Sequence, residues 1–217
     1  MKVCTDACLF GATIANCALP IVHCLDIGTG TGLLSLMLAQ ETDAQIDAVE
    51  IDAAAFQQAK ENFNASPWAS RLNVFNTDII NYTPDKKYDC IISNPPFFED
   101  SLKPANEGKN MAKHDTALTL IQLLTAIGAH LAASGFFAVL LPFHRVDLFE
   151  KESLAQGYHL IRKVLVKHTV THPYFRGILI FSKNNAVPEI TELVIKDVNG
   201  VYTAAFAQLL GGYYLNV

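Results

Sequence analysis

Over its first two thirds the chain keeps switching between two periodicities, and that alternation constrains its fold more than any other feature. Short apolar runs suited to buried strands, "IVHCLDI" (21–27), "AQIDAVEID" (44–52), "RLNVFNTD" (71–78), "KYDCIISN" (87–94) and "GFFAVLLP" (135–142), are interleaved with helical stretches. The helices are "GLLSLMLAQE" (32–41), "AAAFQQAKENFNAS" (53–66), "DTALTLIQLLTAIGAHLA" (115–132), with Asp115 and Thr116 suited to its N-cap, and "RVDLFEKESLAQG" (145–157). Strands joined through helices must run parallel, and a parallel sheet needs cover on both faces. The expectation is an α/β fold: a seven-stranded, mostly parallel sheet with helices on both sides. After Gly157 the helices stop. "YHLIRKVLVKHTV" (158–170) and "RGILIFSK" (176–183) predict an antiparallel hairpin at the sheet edge, and a third run, "ITELVIKD" (190–197), follows Pro188. Strands without a helix between them should pair antiparallel. With 217 residues and no linker-like tract, residues 1–217 are expected to form one domain.

"LDIGTGTGLLSL" (25–36) ends the first strand and opens a helix. Gly28, Gly30 and Gly32 allow a tight turn and let a ligand approach the main chain, while the N–H groups of the helix start favour a polar or anionic group. A purely structural turn is the alternative. Three acids end successive strands: Asp26, Glu50 and Asp78. In open α/β sheets the carboxyl ends of the strands are where ligands bind. Glu50 stands twenty residues after Gly30, a spacing that suits a carboxylate gripping ribose hydroxyls. The competing reading is that these acids cap helices or sit in loops.

"SNPPFF" (93–98) follows the fourth strand and so emerges at the same edge. Two prolines stop strand pairing and fix the backbone. Asn94 offers a side-chain carbonyl, the segment Asn94–Pro95 offers fixed main-chain carbonyls, Pro96 extends the rigid turn, and Phe97 or Phe98 offers a stacking face. Together they describe a slot for a planar group bearing an NH2. Two acceptors on the hydrogens of such an amine would draw its nitrogen toward a tetrahedral shape and localise the lone pair. A rigid loop with two half-buried aromatics is the plain alternative.

A glycine loop of the form G-x-G-x-G, with Leu33 and Leu34 where a nicotinamide-binding loop has its third glycine, resembles the S-adenosylmethionine-dependent methyltransferases. N-P-P-F resembles the members that methylate planar amino groups: adenine-N6 enzymes, and enzymes acting on a glutamine amide in release factors. "MKVCTDACLFGA", "LDIGTGTGLL", "NPPFF", "KHDTALTLIQLL" and "YTAAFAQLLGGYYL" together resemble the bacterial valine-tRNA adenine-37 N6-methyltransferase family over essentially the whole chain. The resemblance implies a Rossmann-like class I fold and a methyl transfer from S-adenosyl-L-methionine, leaving S-adenosyl-L-homocysteine, to an adenine N6 in tRNA. It implies that Asp26 and the glycines hold the methionine end, Glu50 the ribose and Asp78 the adenine amine, with Thr5, Thr29, Ile51, Ile79 and Asn94 completing the cofactor site. Asn94, Pro95, Pro96 and Phe97 then carry the chemistry. Phe98, Lys113, His114, Lys167 and Arg176 are the expected RNA contacts. The chain departs from the pattern at Lys113-His114, where the family has Arg-His, at Cys4 in place of a glycine, and in starting at the "MKV" block.

Composition bears on partners. The net charge is −5, yet residues 142–183 carry seven Lys and Arg against three Asp and Glu, with four histidines. A local RNA contact on an acidic protein is compatible with that, as is an ordinary solvated face. Five cysteines without a C-x-x-C pair point to reduced thiols in apolar segments rather than to zinc. The longest apolar run, Phe136–Leu141, is too short to span a bilayer, and no signal peptide is expected. The expectations are a cytoplasmic location, no metal, no membrane contact, and a monomer or weak homodimer.

Overall fold

The computed structural model describes residues 4–95 and 118–215. Its centre is one eight-stranded sheet in the order β3-β2-β1-β4-β5-β7-β6-β8. The strands are β1 (His23–Ile27), β2 (Gln45–Glu50), β3 (Leu72–Asn76), β4 (Tyr88–Ser93), β5 (Leu131–Pro142), β6 (His159–Thr169), β7 (Tyr174–Ser182) and β8 (Glu189–Lys196). β1 to β5 are all parallel, and β7 runs antiparallel to both β5 and β6.

Alternating side chains feed two cores. On one face Cys24, Ile46, Cys90, Ile92, Phe136 and Ile178 meet α1 (Thr5–Ala15), α2 (Leu33–Glu41), Phe63 of α3 (Ala53–Ala65) and the last helix, α6 (Ala204–Leu210). On the other, Leu25, Ile27, Val49, Ile91, Phe137 and Leu179 meet α4 (Leu120–His130) and α5 (Val146–Ala155). The uninterrupted apolar character of the central strands follows from burial on both sides.

Three expectations change. The sheet has eight strands rather than seven, because "ITELVIKD" forms β8. β8 lies parallel to β6, not antiparallel to a sequence neighbour. Both edges of β7 are already taken by β5 and β6. The chain leaving β7 turns back and reaches the free edge of β6, which itself opposes β7, so the new pair is parallel. The long helix begins, within the described residues, at Leu120: Thr119 caps it and Gln122 closes a capping box. The cap expected at Asp115 lies outside the described residues. That helix stops at His130 because Leu131 enters the sheet opposite Tyr88. Gly135 then lets β5 pass β4 closely, since a Cβ there would sit 2.9 Å from the Asp89 carbonyl oxygen. Among the described residues no helix is long and apolar enough to cross a membrane.

Candidate functional site

The two suspected segments sit side by side. Ile27, the last residue of β1, pairs with Ser93, the last of β4, and the Ser93 hydroxyl donates to the Ile27 carbonyl at 2.9 Å. The residues that follow each strand, Gly28 and Asn94, therefore leave the sheet as neighbours, one strand spacing of about 4.8 Å apart in the ladder direction. β2 lies on the other side of β1, and β3 beyond it. The ends of β3, β2, β1 and β4 thus carry Asp78, Glu50, the glycine loop and Asn94 in a row. β1 is the switch point, from which the chain order proceeds in both directions, the place where open α/β sheets form a crevice.

The loop conformation is one that few residues adopt. Gly28, Gly30 and Gly32 have φ of 72°, 61° and 85°. At Gly28 nothing lies within 4 Å of where a Cβ would stand, so this position faces open space. Gly32 differs: a Cβ there would fall 2.4 Å from a ring carbon of Phe63 on α3. The loop is tied from two sides, by β2 and by α3. Gly28 and Thr29 donate to the Val49 carbonyl, and the Asn62 amide donates to the Thr31 carbonyl at 2.8 Å.

Asp26 is fully buried at the base of the loop. One carboxylate oxygen accepts from the Thr29 hydroxyl at 2.6 Å and from the Ser35 hydroxyl at 2.7 Å. The other has no partner. Burial raises its pKa to about 6, against the two hydroxyls that pull it down. A buried, half-satisfied carboxylate calls for a cationic or N–H donor. The open carboxylate acceptor thus fits the ammonium of an amino-acid ligand.

Glu50 is buried as well, and both of its oxygens are in use: Oε2 accepts from Gly30 N–H at 2.8 Å, and Oε1 from Asp52 N–H at 2.9 Å. Each oxygen keeps a second lone pair, enough for a ribose diol. The Asn76 side chain donates to the carbonyls of Glu50 and Ile51, fixing this segment from β3. Ile51 is 52% exposed, while Ile79 is buried. Asp78 caps a short 3₁₀ turn through one oxygen, accepting from Ile80 N–H at 3.0 Å. Its capping role and a ligand role are compatible, because the second oxygen is not used by that bond.

Asn94 is half-buried and Pro95 buried. Pro96, Phe97, Phe98, Lys113 and His114 lie outside the described residues. Thr5 starts α1, whose neighbouring residue Asp6 accepts from Arg176 at 2.7 Å. Arg176 pairs in register with Pro142 at the carboxyl end of β5, so Thr5 also stands at the ligand edge of the sheet. The two described cations expected to meet RNA are engaged within the protein. Arg176 holds Asp6, and Lys167 pairs with Glu192 at 2.8 Å and lies over the Tyr174 ring.

Ser35, Asn62, Asn76 and Ser93 are not among the expected site residues, yet they hold Asp26, the glycine loop, the Glu50 segment and the end of β4 in place. A hydroxyl closing the apolar run "CIIS" was the legible signal for Ser93; Asn62 on a polar helix gave none. A separate cleft of about 760 Å³ opens beside β2 and β3, lined by Asp47, Phe75, Asn76, Tyr82 and Lys86. Burial pushes the Asp47 carboxyl up, but Lys86, Asn73 and Tyr88 together outweigh it and hold the group below its ordinary range. That network is self-satisfied and structural. Cys8, Cys17, Cys24 and Cys90 are buried free thiols. Among the described residues no cluster of three His, Cys, Asp or Glu is placed to hold a metal.

Residues 14–119 match the family model described as Methyltransferase small domain. The curated tRNA1(Val) (adenine(37)-N6)-methyltransferase of Klebsiella pneumoniae (strain 342) is 40% identical over 219 residues, spanning 99% of this chain and 89% of that protein. The protein of the same name from Flavobacterium psychrophilum is 38% identical, spanning 100% of this chain and 94% of its own length. Among solved structures, one described as a predicted O-methyltransferase from Agrobacterium tumefaciens superposes with a TM-score of 0.73 at 16% identity, covering 98% of this chain and all of that one. A methyltransferase from Pyrococcus furiosus superposes with a TM-score of 0.62 at 23% identity, covering 85% of each chain. At these identities the structural likeness establishes a methyltransferase fold.

Proposed function

The chain belongs to the tRNA1(Val) (adenine(37)-N6)-methyltransferase family, and from that premise we propose that it methylates N6 of adenine 37 in a valine tRNA with S-adenosyl-L-methionine as donor. The observation that carries this reading is the Ile27–Ser93 register, which sets the glycine loop beside Asn94. A methyl donor held by the one is then within reach of an amine held by the other.

The cofactor supplies an electrophilic methyl group on a sulfonium. In our reading Asp26 faces its ammonium through the unpartnered oxygen, the glycine loop receives the methionine end with Thr29 and Thr5 beside it, and Glu50 takes the ribose hydroxyls. Ile51 and Ile79 flank the adenine, and Asp78 accepts from the adenine amine. Asn94 accepts one N6 hydrogen of the target base through its side-chain carbonyl. A main-chain carbonyl fixed by Pro95 and Pro96 accepts the other. Those two bonds oppose delocalisation of the nitrogen lone pair into the ring and aim it for in-line attack. Phe97 stacks on the base and Phe98 borders the slot. Positioning of this kind is worth an effective molarity on the order of 10⁵ M or more, so no strong base is needed before the transfer. The proton leaves afterwards, when the methylated nitrogen has become acidic. An anticodon loop is already single-stranded, so turning out one purine costs far less than opening a duplex. Lys113 and His114 are assigned to RNA in the same reading, in the monomeric or weakly dimeric cytoplasmic protein expected from the sequence.

Mass spectrometry of nucleosides from tRNA incubated with protein and S-adenosyl-L-methionine tests the assignment. N6-methyladenosine is expected with the wild type. Asn94→Ala should lose turnover while its affinity for S-adenosyl-L-homocysteine stays within about threefold, because the lost contact acts on the transition state. Methylation of a release-factor glutamine in preference to tRNA would displace the reading.

A further inference from the structure

We propose that the rim of the sheet beyond β5, built from Phe143, Tyr174, His168, Phe175 and His172, is a stacking platform for the single-stranded nucleotides that flank the target base. The inference rests on the tRNA reading above. β6 runs parallel to β5, so the turn joining β6 to β7 lies at the same edge of the sheet as Asn94. The strand order β4-β5-β7-β6 places the platform one to three strands from the catalytic loop. Three spacings make about 14 Å. At about 3.4 Å per stacked nucleotide, that distance suits the next few residues of one RNA strand.

The rim carries two aromatic pairs. Phe143, 39% exposed, leans on Tyr174 with ring centroids 5.2 Å apart. The exposed His168 lies flat on Phe175 at 3.8 Å and 12°. His172 approaches His168 edge-on at 6.2 Å and is held by Thr169 at 2.7 Å. A register shift between Val166 and Lys167 leaves Phe175 as the extra residue of a bulge, which re-aims side chains at the rim. Rings already paired lose little freedom when a base joins the stack, and stacking accepts any base.

The fixed cations here point the same way. Lys167 and Arg176 are each neutralised by a carboxylate of the protein, Glu192 and Asp6. Phosphate attraction at those two positions is correspondingly weak, and ring faces are what the rim offers a nucleic acid. The proposal stands beside the expectation that Lys167 and Arg176 contact RNA, and the Lys167→Gln arm below separates the two.

Filter binding of a valine tRNA transcript tests the platform, with calorimetry of S-adenosyl-L-homocysteine as the control for folding. Phe143→Ala combined with His168→Ala should weaken tRNA binding about tenfold or more, the effect of losing one or two stacked bases. Cofactor-product affinity should not change. Phe143→Trp, which keeps a ring face, should bind tRNA within about threefold of wild type, and so should Lys167→Gln. Wild-type tRNA affinity in the double variant overturns the platform, as does a loss of cofactor-product affinity alongside tRNA affinity. If the wild type itself neither binds nor methylates the transcript, the tRNA reading fails first and the platform with it.

Discussion

At the scale of single residues, Asp26 is the most informative group. Its carboxyl is buried, raised to about pH 6, and satisfied on only one oxygen. An acid whose folded pKa lies above its unfolded value stabilises the fold below the unfolded pKa, and that contribution is lost as pH rises through the folded one. From below pH 4 to above pH 6 the free protein therefore gives up about 3 kcal/mol in all, from roughly two units at 1.36 kcal/mol each. Asp26→Asn removes the titration and keeps an acceptor for Thr29 and Ser35. Its stability relative to wild type should improve by about 1–2 kcal/mol between pH 5 and pH 7.5 in urea melts. Equal differences at the two pH values would contradict the assigned cause. The same substitution should weaken S-adenosyl-L-homocysteine binding at pH 7.5, and wild-type binding should fall as pH drops below 6 and the carboxyl becomes neutral. In the proposed function, charge at this position costs fold stability and serves the ligand.

At the scale of elements, the glycine loop shows why three similar residues are not equivalent. All three have positive φ, which costs an L side chain about 1–2 kcal/mol. Gly32 adds a collision, because a new Cβ would meet Phe63, a core residue only 2% exposed. Overpacking of that kind costs about 1–3 kcal/mol more. Gly32→Ala should therefore lower the melting temperature by roughly 4–20 °C, and Phe63→Leu should recover part of the loss in that background alone. Gly28→Ala meets open space and should show only the smaller backbone penalty, with its main effect on cofactor affinity. A double-mutant cycle on thermal unfolding distinguishes the two glycines. The pattern G-x-G-x-G was legible in the sequence because it reports backbone freedom. Which glycine faces the ligand and which faces α3 depends on a contact between residues thirty-one positions apart, and no local pattern encodes that.

At the scale of the whole molecule, the ligand edge gathers the ends of strands that are far apart in the chain, so a bound ligand should stabilise the fold globally. S-adenosyl-L-homocysteine at about a hundred times its dissociation constant contributes about 2.7 kcal/mol, which for a chain of this size raises the melting temperature by roughly 5–10 °C. NAD should leave it unchanged. A shift with NAD and none with S-adenosyl-L-homocysteine would mean that the crevice serves another chemistry. At the other end of the sheet β6 and β8 pair in parallel without a helix between them, and the simple rule that sequence neighbours pair fails for β7 and β8.

By itself the sequence determined the layered α/β plan, the glycine loop and the acids closing successive strands, since each is dictated by local backbone chemistry or by a period of two or 3.6 residues. Only the tertiary structure decided that β8 would join β6, that Lys167 and Arg176 would pair with Glu192 and Asp6, and that Ser93 would tie β4 to the glycine-loop strand. Those outcomes follow from which edges and which charges remain available once distant segments have packed, a competition that no local window of residues contains.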